Sequence, residues 1–211
     1  MRKWILIFVA VLVASHALAA NAKKKPAKSF LPRTFRAKFQ QKHISTLTGK
    51  EKVSSGVIEY QYPGNIRFEV KKPNHIIFVS NPKKTWYYTG ASIEGEAGEL
   101  TIKPTGKMVL SRFFDTLKQG LKSNKLYGVK KVNGKERLTF TPAAMKKMGI
   151  KEATLTFGKK GQRLFKDLKQ VDLLYKNKKK VTMILTEIKS NLRTRYKEFF
   201  FRPPPNTKII K

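Results

Sequence analysis

The 211-residue chain contains no cysteine. That excludes disulfides, thiolate metal sites, a cysteine nucleophile and any lipid carried on a cysteine of its own. Histidine is scarce as well, with three in all, and only His43 and His75 lie beyond Ala22. Each falls in a loop or at a strand end with no second histidine at ligand spacing, so both read as surface residues and no metal site is expected. Acidic residues number 13 against 46 basic ones. Most of them, such as Glu59 and Glu69, stand alone on alternating outward positions. The one cluster, Glu94, Glu96 and Glu99, falls in a Gly-rich turn with too few oxygen ligands in register for calcium. No G-x-S-x-G, H-E-x-x-H or Gly-rich phosphate loop is present. Without a poised nucleophile, base, metal or cofactor motif, the chain reads as a binder, not an enzyme, and no cofactor is expected.

Long apolar runs are also missing. The one at residues 4–13, behind Arg2 and Lys3, is about half the roughly 20 residues that a spanning helix needs. Small residues follow it, so it reads as a secretory signal peptide over residues 1–19. Ala17-Leu18-Ala19 places the cut after Ala19, and Ala20-Asn21-Ala22 places it equally well after Ala22. A basic leader with Pro26 and Pro32 follows at residues 23–34 and is expected to be disordered. Residues 35–211 then form one domain, whose 40% hydrophobic content over the whole chain suits a sizeable core. The mature chain is expected to be soluble and monomeric.

The formal charge is +33, and +31 once Arg2 and Lys3 leave with the signal peptide. Lysines are spread along the chain as pairs and triples in turns, among them Lys71-Lys72, Lys83-Lys84, Lys159-Lys160 and Lys178 to Lys180. Export and this even spread argue against a nucleic-acid partner. Either the charge steers the protein to anionic lipid head groups or an acidic docking site, or it reflects a basic proteome and nothing more.

Segments 57–62, 66–70, 76–80 and 85–88 are short, rich in β-branched and aromatic residues, and divided by Gly, Pro and Asn. Their spacing is that of an antiparallel meander closing toward a barrel or sandwich. In the second, Ile66, Phe68 and Val70 share one face while Arg67, Glu69 and Lys71 share the other. Leu110, Phe113, Phe114, Leu117 and Leu121 recur at helical spacing around Ser111, an expected N-cap, which predicts an amphipathic helix of about three turns. Thr141, Pro142 and Gly149 bracket a second, shorter helix that includes Met145 and Met148. Further strands are expected at 153–157, 163–174, 181–188 and 196–201, the last ended by Pro203 to Pro205. Aromatic and branched residues on one side of a curved sheet, with an amphipathic helix lying over it, build either an apolar cavity with a cover or an ordinary filled core.

Phe35-Arg36-Ala37-Lys38-Phe39-Gln40-Gln41 has the form F-x-A-x-F-x-Q. Gly56-Val57-Ile58-Glu59-Tyr60 follows, then Tyr62-Pro63-Gly64-Asn65-Ile66-Arg67-Phe68. Pro73, Val79-Ser80-Asn81 and Trp86-Tyr87-Tyr88 come next in order. Asn191 and Phe199-Phe200-Phe201-Arg202-Pro203-Pro204 complete the set. Together these resemble the LolA type of periplasmic lipoprotein carrier over residues 35–210.

The resemblance implies an incomplete antiparallel β-barrel, a half-barrel whose apolar concave face is covered by short helices. It implies a periplasmic carrier that takes acylated lipoproteins from an inner-membrane ATP-driven lipoprotein-releasing complex to an outer-membrane receptor. Phe39, Ile66, Phe68, Val70, Trp86 and Tyr88 would line the acyl cavity, and Phe113, Phe114 and Leu117 would form a lid left partly exposed or mobile without cargo. A lipid-sensing regulator on the same half-barrel is the other reading. The chain departs from the family where Tyr62 replaces an arginine that ties down the lid, and where the proline-bearing leader replaces a first helix.

Overall fold

The computed structural model describes residues 29–91, 93, 95–104, 108–158 and 163–210. The expected signal peptide, residues 23–28 of the leader, Glu94 and the lysine pair Lys159-Lys160 lie outside them. The chain runs through β1 (Thr34–Ile44), β2 (Glu51–Gln61), β3 (Asn65–Lys72), β4 (Ile76–Ser80), β5 (Lys84–Thr89) and β6 (Glu99–Pro104). Helix α1 (Val109–Leu117) follows, then β7 (Tyr127–Val132), β8 (Lys135–Phe140) and helix α2 (Pro142–Met148). The last strands are β9 (Ile150–Phe157), β10 (Leu168–Tyr175), β11 (Lys180–Ser190) and β12 (Lys208–Ile210).

All twelve strands join one sheet in the order β12-β6-β5-β4-β3-β2-β1-β11-β10-β9-β8-β7. Its edges, β12 and β7, do not meet, so the sheet stays open as the half-barrel expectation requires. Neighbours are antiparallel except β12, which pairs parallel to β6. Alternation sets the two faces. In β1, Phe35, Ala37 and Phe39 are buried while Arg36, Lys38 and Gln40 are exposed. Pairing carries that apolar set across the sheet: Phe35 opposes Tyr60, Ala37 opposes Ile58, Ile58 opposes Phe68, and Phe39 opposes Leu185. Val171 opposes Met183 further along. The main core lies on this concave face, beneath α1 and α2.

Gly56 marks the tightest approach in the sheet. It sits at a register shift between Phe39 of β1 and Val70 of β3, and a Cβ placed there would lie 1.8 Å from the Glu69 carbonyl oxygen. Only glycine lets the strands come so close.

Several expectations need correction. Residues 29–34 of the leader are ordered into the domain: Leu31 is fully buried, and Phe30 meets Phe157 and Phe165 edge-on at 6.0 and 5.8 Å. Two apolar side chains outweigh the proline and the surrounding charge. The N-cap of α1 is Met108, not Ser111, and Met108 supplies no side-chain cap. Ser111 lies inside the helix, its buried hydroxyl without a hydrogen-bond partner. The helix also stops before Leu121, because Gly120 turns the chain at φ +87°. Residues Tyr196–Phe199 form a 3-10 turn instead of a strand. Glu99 starts β6, so the acidic cluster is not confined to a turn. Helix α2 is as expected: the Thr141 hydroxyl accepts from the Ala144 N–H at 3.4 Å, and Gly149 ends it in the left-handed region.

Gly56→Ala should cost about 3 kcal/mol or more, because the obstruction is backbone and nothing nearby can yield. Gly128, in edge strand β7, would meet nothing within 4 Å on gaining a Cβ, and Gly128→Ala should be neutral or stabilising by about 0.5–1 kcal/mol. Denaturant midpoints of the two variants check both.

Candidate binding cavity

Helix α1 is fastened to the sheet at its C-terminal half. Asp115 Oδ1 accepts from the Tyr60 hydroxyl and, at 2.9 Å, from the Gly64 N–H in the β2–β3 turn. Burial, followed by the hydrogen bond to Asp115, pushes the Tyr60 hydroxyl far above the usual phenol value, so it stays a donor at any physiological pH. The Tyr127 hydroxyl donates to the Gly120 and Thr116 carbonyls at and beyond the helix end. Lys118 donates to the Leu31 carbonyl at 3.1 Å and lies 5.2 Å from the centre of the Tyr62 ring. Arg112 donates to the Lys147 carbonyl of α2. Where the resemblance leads one to expect an arginine on the sheet, the cation here comes from the helix side and the sheet supplies the aromatic ring.

These ties seat Phe113, Phe114 and Leu117 in the concavity, where all three are fully buried. Phe35 lies 5.0 Å from Phe114 and 4.6 Å from Phe165, measured between ring centres, and stacks on Tyr60 at 5.3 Å. Of the expectation that the three would be partly exposed or mobile without cargo, the exposure is not seen. The apolar face of the helix has a full set of partners, worth about 1.5–3 kcal/mol per large side chain.

The concavity is filled only at that end. Toward the first turn of α1 a cavity of about 410 Å³ remains, walled by Phe68, Phe78, Met108, Leu110, Leu173 and Met183, with Gln41, Val109, Tyr175 and Val181 completing it. Phe78 also borders a second cavity of about 380 Å³ that runs out over Tyr87, Thr85, Thr101, Lys103 and Pro104. Phe78 borders both, and the two together give a mainly apolar trough along the concave face. Gln41 is the sole amide side chain in the first cavity, and burial pushes the Tyr175 hydroxyl above its ordinary range. Among the described residues no three His, Cys, Asp or Glu come together as a metal set. The chemistry available is burial of apolar chains, with few groups to fix an orientation.

Of the six residues expected to line a cavity, Phe39, Ile66, Phe68 and Val70 share the concave face, and Phe39 stacks on Phe68 at 4.2 Å. Only Phe68 borders the open space. Trp86 and Tyr88 do not belong to this face. They pair with Val79 and Ile77 on β4, whereas Phe78 is the β4 residue that opposes Phe68. Trp86 and Tyr88 therefore point to the convex side, into a separate cluster with Leu100, Phe199 and Phe201. The C-terminal segment covers that cluster, held by the Asn81 side-chain N–H on the Phe199 carbonyl at 3.0 Å. Sequence reading missed Phe78, Tyr87, Met108, Leu173, Val181 and Met183. The alternation Val181, Met183, Leu185 in β11 was available as a signal. β4, apolar at four successive positions, offered none.

Residues 32–202 match the family model of the outer membrane lipoprotein carrier protein LolA. An outer-membrane lipoprotein carrier protein of Methylibium petroleiphilum is 30% identical over 108 residues, which span 50% of this chain and 49% of that protein. The match thus extends over about half the length of this curated relative. Two solved structures are similar at low identity. One is a LolA superfamily protein of Nitrosomonas europaea, with TM-score 0.45, 8% identity, and 82% of this chain and 92% of that one covered. The other is an uncharacterized conserved protein of Thermus thermophilus, with TM-score 0.42, 14% identity, and coverage of 85% and 91%.

The polar tie on α1 should be measurable. Tyr60→Phe deletes a hydrogen bond to a carboxylate and should cost about 1.5–3 kcal/mol. Lys118→Ala removes a half-exposed cation–π contact and a hydrogen bond to the Leu31 carbonyl, and should cost about 1 kcal/mol, less than Tyr60→Phe. Hydrogen exchange should quicken across the C-terminal half of α1 in Tyr60→Phe, and equal effects of the two changes would place the tie elsewhere.

Proposed function

The chain belongs to the LolA family of outer membrane lipoprotein carriers, and from that premise we propose that it is a periplasmic carrier which shelters the acyl chains of lipoproteins in the concave trough. The observation that carries this reading is the pair of apolar cavities that share Phe78 as a wall, left open beside the first turn of a helix whose polar ties, among the described residues, begin at Arg112. Exposing one long acyl chain to water costs on the order of 10 kcal/mol, at about 0.8 kcal/mol per CH₂. A lipoprotein crossing an aqueous compartment needs a shield of this kind. Family members are carriers, not enzymes, and the trough offers no group poised for covalent chemistry.

Release must remain feasible. The trough holds its contents by burial, with little hydrogen bonding to break. The first turn of α1, uncapped at Met108 and with Val109 37% exposed, is the part of the cover free to yield, since every polar tie described above lies at or beyond Arg112. Cargo would pass Met108 and Val109 on entry and on departure. The inner-membrane ATP-driven releasing complex and the outer-membrane receptor are the donor and acceptor that such a carrier requires.

Phe78→Glu places a charge on the wall that the two cavities share and should abolish uptake of an acylated lipoprotein. Ile102→Ser, on the opposite face and 40% exposed, should leave uptake intact. Mass spectrometry of the native protein should find a co-purifying acylated ligand. In a two-membrane assay, cargo should pass from inner-membrane vesicles to outer-membrane receptor. Cargo bound and never handed on would instead fit the lipid-sensing regulator, and equal uptake by both variants would rule out the trough as the binding site.

A further inference from the structure

The turn joining β1 to β2 extends past its neighbours in the sheet. The last β2–β3 pair is Ser55 with Lys72, so β2 from Glu51 to Ser54 has no β3 partner; β1 stays paired with β11 as far as His43 opposite Val181, and beyond that the Ile44–Glu51 pair and the loop between them project alone. At its apex Leu47 is 93% exposed, more than any other large apolar side chain among the described residues. Ile44 and Val53 beside it are 54% and 42% exposed. Register places both on the convex side of the projection, since Ile44 is two residues beyond Lys42, which opposes Val53.

A single exposed leucine is ordinary. This one is held outward by a built loop. The Ser45 N–H donates to the Lys50 carbonyl and the Gly49 N–H to the Ser45 carbonyl, both at 2.9 Å, and Ser45 itself is buried. Gly49 adopts φ +65° to complete the turn, leaving Thr46, Leu47 and Thr48 at the tip.

Cations surround the projection. Lys42, Lys50 and Lys52 lie on the hairpin, and Lys178, Lys179 and Lys180 lie on the adjoining β10–β11 turn, because Val181 opposes His43. Burial, then the charges of Lys179 and Lys52, push His43 below its usual range. The one acid on the hairpin, Glu51, is met by Lys42 at 3.8 Å. An apolar apex above a collar of ammonium groups matches the layering of an anionic bilayer, acyl region beneath phosphate. The exposed leucine sits on the loop itself, away from the short unpaired β2 edge by which a strand-adding protein partner would be held.

We infer that the β1–β2 hairpin is a membrane-docking tip, which inserts Leu47 into the surface of an anionic bilayer while Lys50, Lys52 and the β10–β11 lysines hold its head groups. The placement has a consequence for the trough. Gln41, Tyr175, Val181 and Met183 border the larger cavity, and they are the strand positions next to these two turns. Docking by the tip therefore brings the cavity mouth to the bilayer surface, so that an acyl chain travels between the two with little exposure to water. The proposal goes beyond acyl carriage and is tested without cargo.

The test uses the mature protein and phosphatidylcholine vesicles with or without phosphatidylglycerol. In Leu47→Trp the new indole should shift to the blue and be quenched by brominated acyl chains when phosphatidylglycerol is present, against a constant background from buried Trp86. Leu47→Ser should weaken vesicle binding about tenfold, the scale expected for one leucine partly removed from water. The Lys50→Glu, Lys52→Glu double variant should lose the preference for anionic vesicles. All these side chains are exposed, so unchanged thermal midpoints are expected and would rule out misfolding. An unshifted indole, or a Leu47→Ser protein that binds like the parent, overturns the proposal. So does a blue shift that appears only on adding a partner protein, which would make the tip a protein-docking element. Because the vesicles carry no lipoprotein, failure here leaves the carrier reading standing.

Discussion

The Asp115 carboxylate, by accepting from Tyr60 and Gly64, determines which half of the concave face is filled and which is left open. An open sheet this wide presents more apolar concave surface than a nine-residue helix can cover. Fixing the C-terminal half of α1 against the β2–β3 turn commits Phe113, Phe114 and Leu117 to the region of Phe35, Tyr60 and Phe165. The first turn then reaches only the margin of the other half, where Phe68, Phe78, Leu173 and Met183 face open space. Cavity and core are thus parts of one apolar surface, divided by the seating of a single helix. The same division separates a rigid end, rich in hydrogen bonds to backbone carbonyls, from an uncapped end able to yield.

The convex face carries the other constraint. Over β1 to β3 it is polar, with Arg36 on Glu59 and Arg67 on Glu69 at 3.3 Å and His75 near Glu69 at 3.5 Å. Burial holds the Glu59 carboxyl above its usual range despite Arg36. Over β4 to β6 the convex face is apolar and lies under Phe199 and Phe201. The C-terminal segment crosses from one region to the other and ends as β12, a strand added to the edge of β6. The sheet is therefore covered on its concave side over β1 to β3 and on its convex side at its β4–β6 end.

That change of covering explains what the sequence disclosed and what it withheld. Alternation made the faces of β1 and β3 readable, because one side of each is wet; Ile66, Phe68 and Val70 were placed correctly for that reason. It also showed that Trp86 and Tyr88 share a face, but with apolar residues on both sides of β5 the pattern carries no sign, and they were set on the wrong one. Only pairing through Phe78 and Val79 resolves it. Strands β7, at the edge, and β8 beside it were passed over because charged residues interrupt their alternation, although Asn133 and Gly134, both at positive φ between Val132 and Lys135, form a two-residue hairpin turn with a strong local signature. The caps of α2 were legible since Thr141, Pro142 and Gly149 each act locally. The seating of α1 was not, because Asp115 finds its partners more than fifty residues away in sequence.

On the proposed carrier reading, acyl chains would occupy the space between the first turn of α1 and the concave sheet. The five methionines offer a direct reading, since Met108 and Met183 line that space while Met145 and Met148 lie on α2 away from it. With methyl-labelled methionine, adding a monoacylated peptide should shift the Met108 and Met183 methyl resonances and leave those of Met145 and Met148 in place. If Met108 and Met183 stay fixed while the acylated peptide binds, the chains lie elsewhere and the trough is not the carrier site.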